Sequence, residues 1–165
     1  MRAAVLSLAA LVTLAAAAGA QTKTDFSGTW KRNAEKSDPI GGPGGGGGGG
    51  GGGMGTSTSV VTQAADKIVI ATTFGENTRT LTYTLDGKES VNPGMRGGET
   101  RSTARWDGAA LVIESTSTRS TPSGDVTITS KEVRTISEDG KTMTVVTTST
   151  SPMGEQTRKT VYDKQ

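Results

Sequence analysis

The chain has 165 residues, enough for one domain, with 18 Lys and Arg against 16 Asp and Glu and a net charge of +2. It contains no histidine and no cysteine, which excludes Ser-His-Asp and Cys-His nucleophiles, thiolate metal sites and disulfides. We therefore expect a protein that is not an enzyme. No basic run exceeds two residues, so we expect no binding to nucleic acid.

The N-terminus has the pattern of a secretory signal peptide. A short positive start precedes an apolar run rich in Ala and Leu, and Ala-Gly-Ala over 18–20 obeys the small-x-small cleavage rule. The apolar run of about 16 to 18 residues is too short and too weakly apolar for a membrane anchor. No second apolar run follows it, so no transmembrane segment is predicted. The prediction is a signal peptide over 1–20 and one domain over 21–165, exported to the periplasm or the extracellular space of a bacterium.

A glycine tract follows the first predicted strand. Thirteen of the 24 glycines lie within 41–55. Such a run prefers no ordered state, so the tract is predicted to be a flexible, disordered loop. Two interpretations stay open for it. It is a mobile lid or spacer, or it is a repeat tolerated in a surface loop because extra loop length costs little entropy.

The rest of the sequence predicts strands. It is rich in Thr and Ser, with 28 and 15 in the whole chain, and the branched side chain of Thr suits a pleated sheet. Leu81, Tyr83 and Leu85 alternate with threonines, which indicates a strand buried on one face. Asp-Gly pairs at 86–87, 107–108 and 139–140 predict hairpin turns in which both residues are central. Strands are predicted near 25–32, 56–64, 67–74, 78–85, 88–92, 99–106, 110–118, 125–136, 141–150 and 155–163.

This order of strands predicts an all-β fold, an up-and-down antiparallel barrel of about eight to ten strands. Closure pairs every edge strand without needing a thick core. A membrane barrel is disfavoured, because Trp, Tyr and Phe number two each and the outward positions are polar. The residues predicted inside are Phe26, Trp30, Ile70, Leu81, Tyr83, Leu85, Trp106, Leu111, Ile113, Val126, Ile128, Met143, Val145 and Tyr162. The charged strand residues are predicted to lie outside, among them Arg101, Arg105, Arg119, Glu132 and Arg134.

Both ends of the chain resemble known barrels. The segment 26–31, Phe-Ser-Gly-Thr-Trp-Lys, resembles the opening strand of lipocalins and fatty-acid-binding proteins, the calycin group. The segment 160–164, Thr-Val-Tyr-Asp-Lys, is similar to the last strand of fatty-acid-binding proteins. The opening and the Asp-Gly-Lys turns also look like those of small uncharacterised secreted bacterial proteins. The resemblance implies a lipocalin-like barrel in which Gly28 and Trp30 close one end.

Two features depart from the fatty-acid-binding pattern. Those proteins have two short helices after the first strand, where this chain has the glycine tract. They also hold a carboxylate with an Arg two residues before the terminal Tyr, whereas this chain has Thr160 there and Arg158 two positions earlier. Parity places Arg158 and Tyr162 on one face, about 13 Å apart along the strand. Arg158, Lys159 or Lys164 is expected to lie over the ring of Trp30.

The candidate ligand-binding residues are Tyr83, Trp106, Arg158 and Tyr162. For Trp106 two roles stay open: a plug in the barrel, and a wall of a ligand cavity beside the two tyrosines. No metal site is expected, because the acids border turns or lie singly in strands and no Asp-x-Asp spacing occurs. No cofactor is expected.

Two functions stay open for this predicted monomer. The first is an exported lipocalin-like barrel that binds a small apolar or amphipathic ligand, which is what the resemblance implies. The alternative is an envelope structural or interaction module with a filled barrel and no ligand. An interior cavity of a few hundred Å³ would separate them, since ligand pockets have about that size.

Overall fold

The computed structural model describes residues 23–39, 57–94, 98–121 and 124–165. The predicted signal peptide over 1–20 and the glycine tract over 41–55 lie outside the described residues. No helix among the described residues is long and apolar enough to cross a membrane. Each predicted strand overlaps one observed strand, and the all-β fold is confirmed. The strands are β1 Gly28–Asn33, β2 Ser57–Gln63, β3 Lys67–Phe74, β4 Asn77–Thr84, β5 Glu89–Pro93, β6 Glu99–Asp107, β7 Ala110–Thr121, β8 Gly124–Ile136, β9 Thr142–Ser151 and β10 Gly154–Lys164.

The ten strands form one antiparallel sheet that bends into a nearly closed barrel. Their order is β4-β3-β2-β1-β10-β9-β8-β7-β6-β5. The first and last strands pair, with Trp30 opposite Lys164. The two strands at the edges, β4 and β5, follow each other in the chain, which is the up-and-down order predicted from the turns.

Side chains bridge the seam between β4 and β5. Asn92 on β5 accepts the N–H of Thr82 through Oδ1 at 2.8 Å and donates Nδ2 to the carbonyl of Thr82 at 2.9 Å. Ser90 accepts the N–H of Thr84 at 3.0 Å. The amide of Asn92 thus replaces a pair of ladder hydrogen bonds, and these edge groups are not left unpaired.

Two predicted hairpin turns have a different register. The N–H of Gly140 donates to the carbonyl of Ser137 at 2.8 Å, so the central residues of that turn are Glu138 and Asp139, and the prediction that Gly140 is central is wrong. Asp107 pairs with Ala110, so the two central residues are Gly108 and Ala109. Gly108 has the positive φ, +61°, that the first central position of a primed turn requires. The prediction that Asp107 is itself a central residue is wrong, because β6 continues one residue further before the chain reverses.

The apolar core occupies one end of the barrel. The buried cluster consists of Phe26, Trp30, Val61, Ile68, Ile70, Tyr83, Leu85, Ala104, Leu111, Ile113, Met143 and Val145. Leu81, Trp106, Ile136 and Tyr162 pack against it. Val126 and Ile128, predicted inside, share the parity of the inward residues of β8 but are only half-buried and lie outside this cluster.

Gln63 holds the segment before β1 against the barrel. The N–H of Phe26 donates to Oε1 of Gln63 at 3.0 Å, and Nε2 of Gln63 donates to the carbonyl of Thr24 at 3.0 Å. Phe26 precedes the first strand, so these bonds position it to join the core.

Candidate ligand-binding interior

The closed end of the barrel is built around Trp30. Its side chain is fully buried, and its Nε1 donates to the carbonyl of Phe26 at 2.8 Å. Of the three basic residues expected over the ring, it is Lys164 whose Nζ lies 5.2 Å from the ring centroid. Gly28 has φ +139°, and a Cβ there would lie 2.9 Å from Cε of Lys164. Gly28 therefore leaves the space through which Lys164 crosses the indole.

The inward face of the other half is lined by hydroxyls. Five serines are direct cross-strand neighbours on β5 to β9, and we call them the serine row: Ser90, Ser102, Ser115, Ser130 and Ser149. The hydroxyls of Ser102 and Ser115 are 2.8 Å apart and share a hydrogen bond. The hydroxyls of Ser130 and Ser149 bond to none of the described residues. Each free hydroxyl can both donate and accept.

Open space adjoins the inner wall in this half. Ser130 and Thr147 lie in the middle of their strands and share the parity of the inward residues, yet they are only half-buried. The wall of a barrel shields an inward side chain from the outside. Their remaining exposure therefore faces the interior, which the apolar core does not fill.

An ion pair lies inside the barrel where the two halves meet. Glu132 and Arg134 on β8 both face inward, and Nε of Arg134 donates to Oε1 of Glu132. Their side chains are 25% and 12% exposed. Burial opposes the charge of Arg134, but the carboxylate of Glu132 outweighs it, so the pKa of Arg134 is raised. Nη1 lies 4.0 Å from Sδ of Met143, and Nη2 bonds to none of the described residues.

Two tyrosines face this ion pair. Burial raises the pKa of Tyr83 to about 12, and the charge of Glu132 acts in the same direction. Burial also raises the pKa of Tyr162. Both phenols stay protonated at neutral pH and can donate a hydrogen bond. Tyr83, Tyr162, Glu132 and Arg134 together form the polar floor of the open half.

The other two predicted ligand-binding residues lie apart from each other. Trp106 packs on Phe26 with ring centroids 6.0 Å apart, at the edge of the core. Its indole N–H is buried and has no acceptor among the described residues. Arg158 is half-buried on β10 opposite Thr147, which in turn lies opposite Glu132. Two strand spacings, about 10 Å, therefore separate the backbones of Arg158 and Glu132.

A pocket of about 210 Å³ lies against β5 to β8. Its lining includes three members of the serine row, Ser102, Ser115 and Ser130. Its other five lining residues lie on the outer face of β5 to β7. They are Glu89, Arg101, Thr103, Glu114 and Thr116, and the side chains of Glu89 and Arg101 form an ion pair at 2.6 Å. The pocket therefore lies at the barrel wall, beside the serine row.

The polar floor corrects the prediction that Glu132 and Arg134 lie outside. Val126 and Ile128 are predicted inside, and alternation along the same strand places Glu132 and Arg134 on that inner face. The alternation along β8 therefore already predicted an inward orientation for Glu132 and Arg134. The prediction that they lie outside came from the general preference of charged side chains for water. Inside the barrel each charge has the other as its partner, which makes burial of both tolerable.

The sequence matches no protein-family model and no curated protein. The fold is similar to solved structures of low sequence identity. Zebrafish ileal bile acid-binding protein complexed with cholic acid is 18% identical, with a TM-score of 0.58 over 85% of this chain and 98% of that one. The REP1-NXSQ fatty acid transporter is 16% identical, with a TM-score of 0.57 over 84% and 95%. A secretory abundant heat soluble protein from Ramazzottius varieornatus is 16% identical, with a TM-score of 0.57 over 88% and 98%. The chain therefore has the ten-stranded, nearly closed barrel fold of the lipocalin and fatty-acid-binding type.

Proposed function

We propose that the protein is an exported carrier that binds a small amphipathic molecule in the open half of its barrel. The observation that carries the proposal is the unfilled interior above the polar floor. Partly exposed inward side chains border it, and Arg134 has a terminal nitrogen with no bond to any described residue. Concave sites with a few precisely placed polar groups are typical of small-molecule binding.

The similar folds support binding in preference to catalysis. One of those proteins is a bile acid-binding protein complexed with cholic acid, and another is a fatty acid transporter. In a barrel that encloses a ligand, a few placed polar groups of the interior fix the orientation of that ligand. Export to the periplasm or the extracellular space rests on the signal-peptide pattern over 1–20. Export is tested by measuring the intact mass of the native protein, which should correspond to a chain that begins at Gln21.

Binding is tested by a pair of matched substitutions on β7. Ser115→Phe places a ring on the inner face, whereas Thr116→Phe places the same ring on the outer face. The uptake of a neutral solvatochromic dye such as Nile red is measured by fluorescence titration. We expect Ser115→Phe to weaken uptake about tenfold or more, a change of about 1.4 kcal/mol in binding free energy, and Thr116→Phe to leave it unchanged.

Equal uptake by all three proteins would place the dye outside the barrel and refute the proposed site. Native mass spectrometry of protein from its own source then asks whether a molecule is carried at all. A protein that carries nothing and takes up no dye would favour the alternative of an interaction module in the cell envelope. The same spectrum tests the predicted monomer.

A further inference from the structure

We infer that the ligand has a neutral head group that bears hydroxyls, and that Glu132 excludes free carboxylates. This inference rests on the proposed function, because it names the chemistry of the molecule that enters the open half. Two independent features of the inner wall carry it: the ion pair of the polar floor and the serine row.

The ion pair offsets the positive charge of Arg134 at the polar floor. Glu132 occupies Nε of Arg134, and both side chains are largely buried. A carboxylate that approached Arg134 would stand beside the carboxylate of Glu132, and like charges in a poorly solvated site repel strongly. A hydroxyl can instead accept from Nη2 of Arg134 and donate to Glu132 without displacing either. The pair therefore favours a neutral group with both a donor and an acceptor.

The serine row extends this preference along the wall. An acyl chain laid on these serines would bury hydroxyls without partners, which costs free energy. Hydroxyls of a ligand would bond to the hydroxyls of Ser130 and Ser149, which have no partner among the described residues, and gain hydrogen bonds in a shielded site. Ser130 is two residues before Glu132 on the same face of β8, so the row and the ion pair lie next to each other.

The other inward cations whose side chains the structure describes do not supply an alternative anion site at the floor. On β1, Arg32 lies opposite Tyr162, and its Nη2 donates to the carbonyl of Asp38 at 2.9 Å. Nη2 of Arg79 donates to the carbonyl of Pro93 across the seam, at 2.9 Å. Lys164 lies over Trp30 at the closed end. Arg158 lies in the same cross-strand row as Glu132, so an anion near Arg158 would also meet the charge of Glu132. Among the inward strand residues that the structure describes, Glu132 is the only carboxylate.

The test compares two probes with the same chain, 1-decanoylglycerol and decanoate, both below their micelle concentrations at pH 7.5. Affinities are measured by displacement of Nile red and by calorimetry. The variant is Glu132→Gln, which removes the charge and keeps the shape. Its matched control is Glu114→Gln, which removes a charge on the exposed outer face of the neighbouring strand, where Glu114 lies 3.7 Å from Arg105.

We expect the parent to bind the glyceride more tightly than decanoate. In Glu132→Gln the affinity for decanoate should rise roughly tenfold or more, because Arg134 can then bind an anion. The affinity for the glyceride should change little. Glu114→Gln should behave as the parent. A parent that binds decanoate as tightly as the glyceride overturns this inference and leaves the proposed function in place. That comparison holds even if Glu132→Gln does not fold. A parent that binds neither probe overturns the proposed function itself.

Discussion

Trp30 and Trp106 allow a matched test of one buried hydrogen bond. Both indoles pack at the core, and replacement by Phe removes about the same volume from each. Nε1 of Trp30 donates to the carbonyl of Phe26 at 2.8 Å. Nε1 of Trp106 is buried and has no acceptor among the described residues. The two substitutions therefore differ mainly in whether a hydrogen bond is lost.

The expected difference in stability between the two Phe variants depends on whether a hydrogen-bonding group is left buried without its partner. Trp30→Phe leaves the carbonyl of Phe26 buried without its donor, which costs about 1–3 kcal/mol. Trp106→Phe removes a donor that has no acceptor among the described residues, so this part of the cost is absent or reversed. We expect Trp30→Phe to be less stable than Trp106→Phe by about 1–3 kcal/mol. Trp30→Ala should cost about 3–5 kcal/mol because it also opens a cavity at the closed end.

Stability is measured by urea unfolding followed by far-UV circular dichroism, which does not depend on the tryptophans being replaced. The slope of free energy against urea should be the same for all variants, as expected when only stability changes. An equal loss for the two Phe variants, or a larger one for Trp106→Phe, would refute the assignment of the hydrogen bond. A loss below about 1 kcal/mol for Trp30→Ala would remove its role in closing the barrel.

Three further predictions address the seam, the closed end and the polar floor. Asn92→Ala should cost about 1–3 kcal/mol by urea unfolding, because two ladder groups at the seam lose their partner, and a neutral result would mean that the seam is not held by this amide. Gly28→Ala should destabilise the barrel because its Cβ would lie 2.9 Å from Cε of Lys164 and its φ is +139°. In the double variant with Lys164→Ala, only the part of the stability lost to that contact should be recovered. If no stability is recovered, the whole loss comes from the backbone. The chain has two tyrosines, so ultraviolet titration of Tyr162→Phe reports Tyr83 alone, with an expected pKa of about 12; a value near 10 would contradict its burial. Because the pKa of Tyr83 is raised in the folded state, its contribution to stability is complete below pH 10 and is lost as the pH rises towards 12, and Tyr83→Phe should abolish that part of the pH dependence.

The sequence by itself determined the strands and the closed end. Alternation with period two and glycines at the turns are local signals, and each predicted strand overlaps one observed strand. The alternating pattern predicted Trp30 in the core, where it is fully buried. The resemblance of the opening segment also predicted the type of barrel. A local pattern is sufficient here because one face of every strand must meet the interior.

Tertiary structure alone decided which residues meet inside the barrel. The choice of Lys164 among three basic residues depends on the register of β10 against β1. The bridge from Asn92 to Thr82 exists because barrel closure brings the two edge strands together. Sequence distance does not encode register around a closed sheet, since that register is set by ten strands jointly.

The polar floor needed both levels. Parity along β8 places Glu132 and Arg134 on the inner face, but the sequence does not reveal that two tyrosines from β4 and β10 complete the floor. A charge is excluded from an interior only if it lacks a partner there, and the partners come together when the barrel closes. That is why the sequence predicted the fold of this protein, while its candidate site became evident from the assembled barrel.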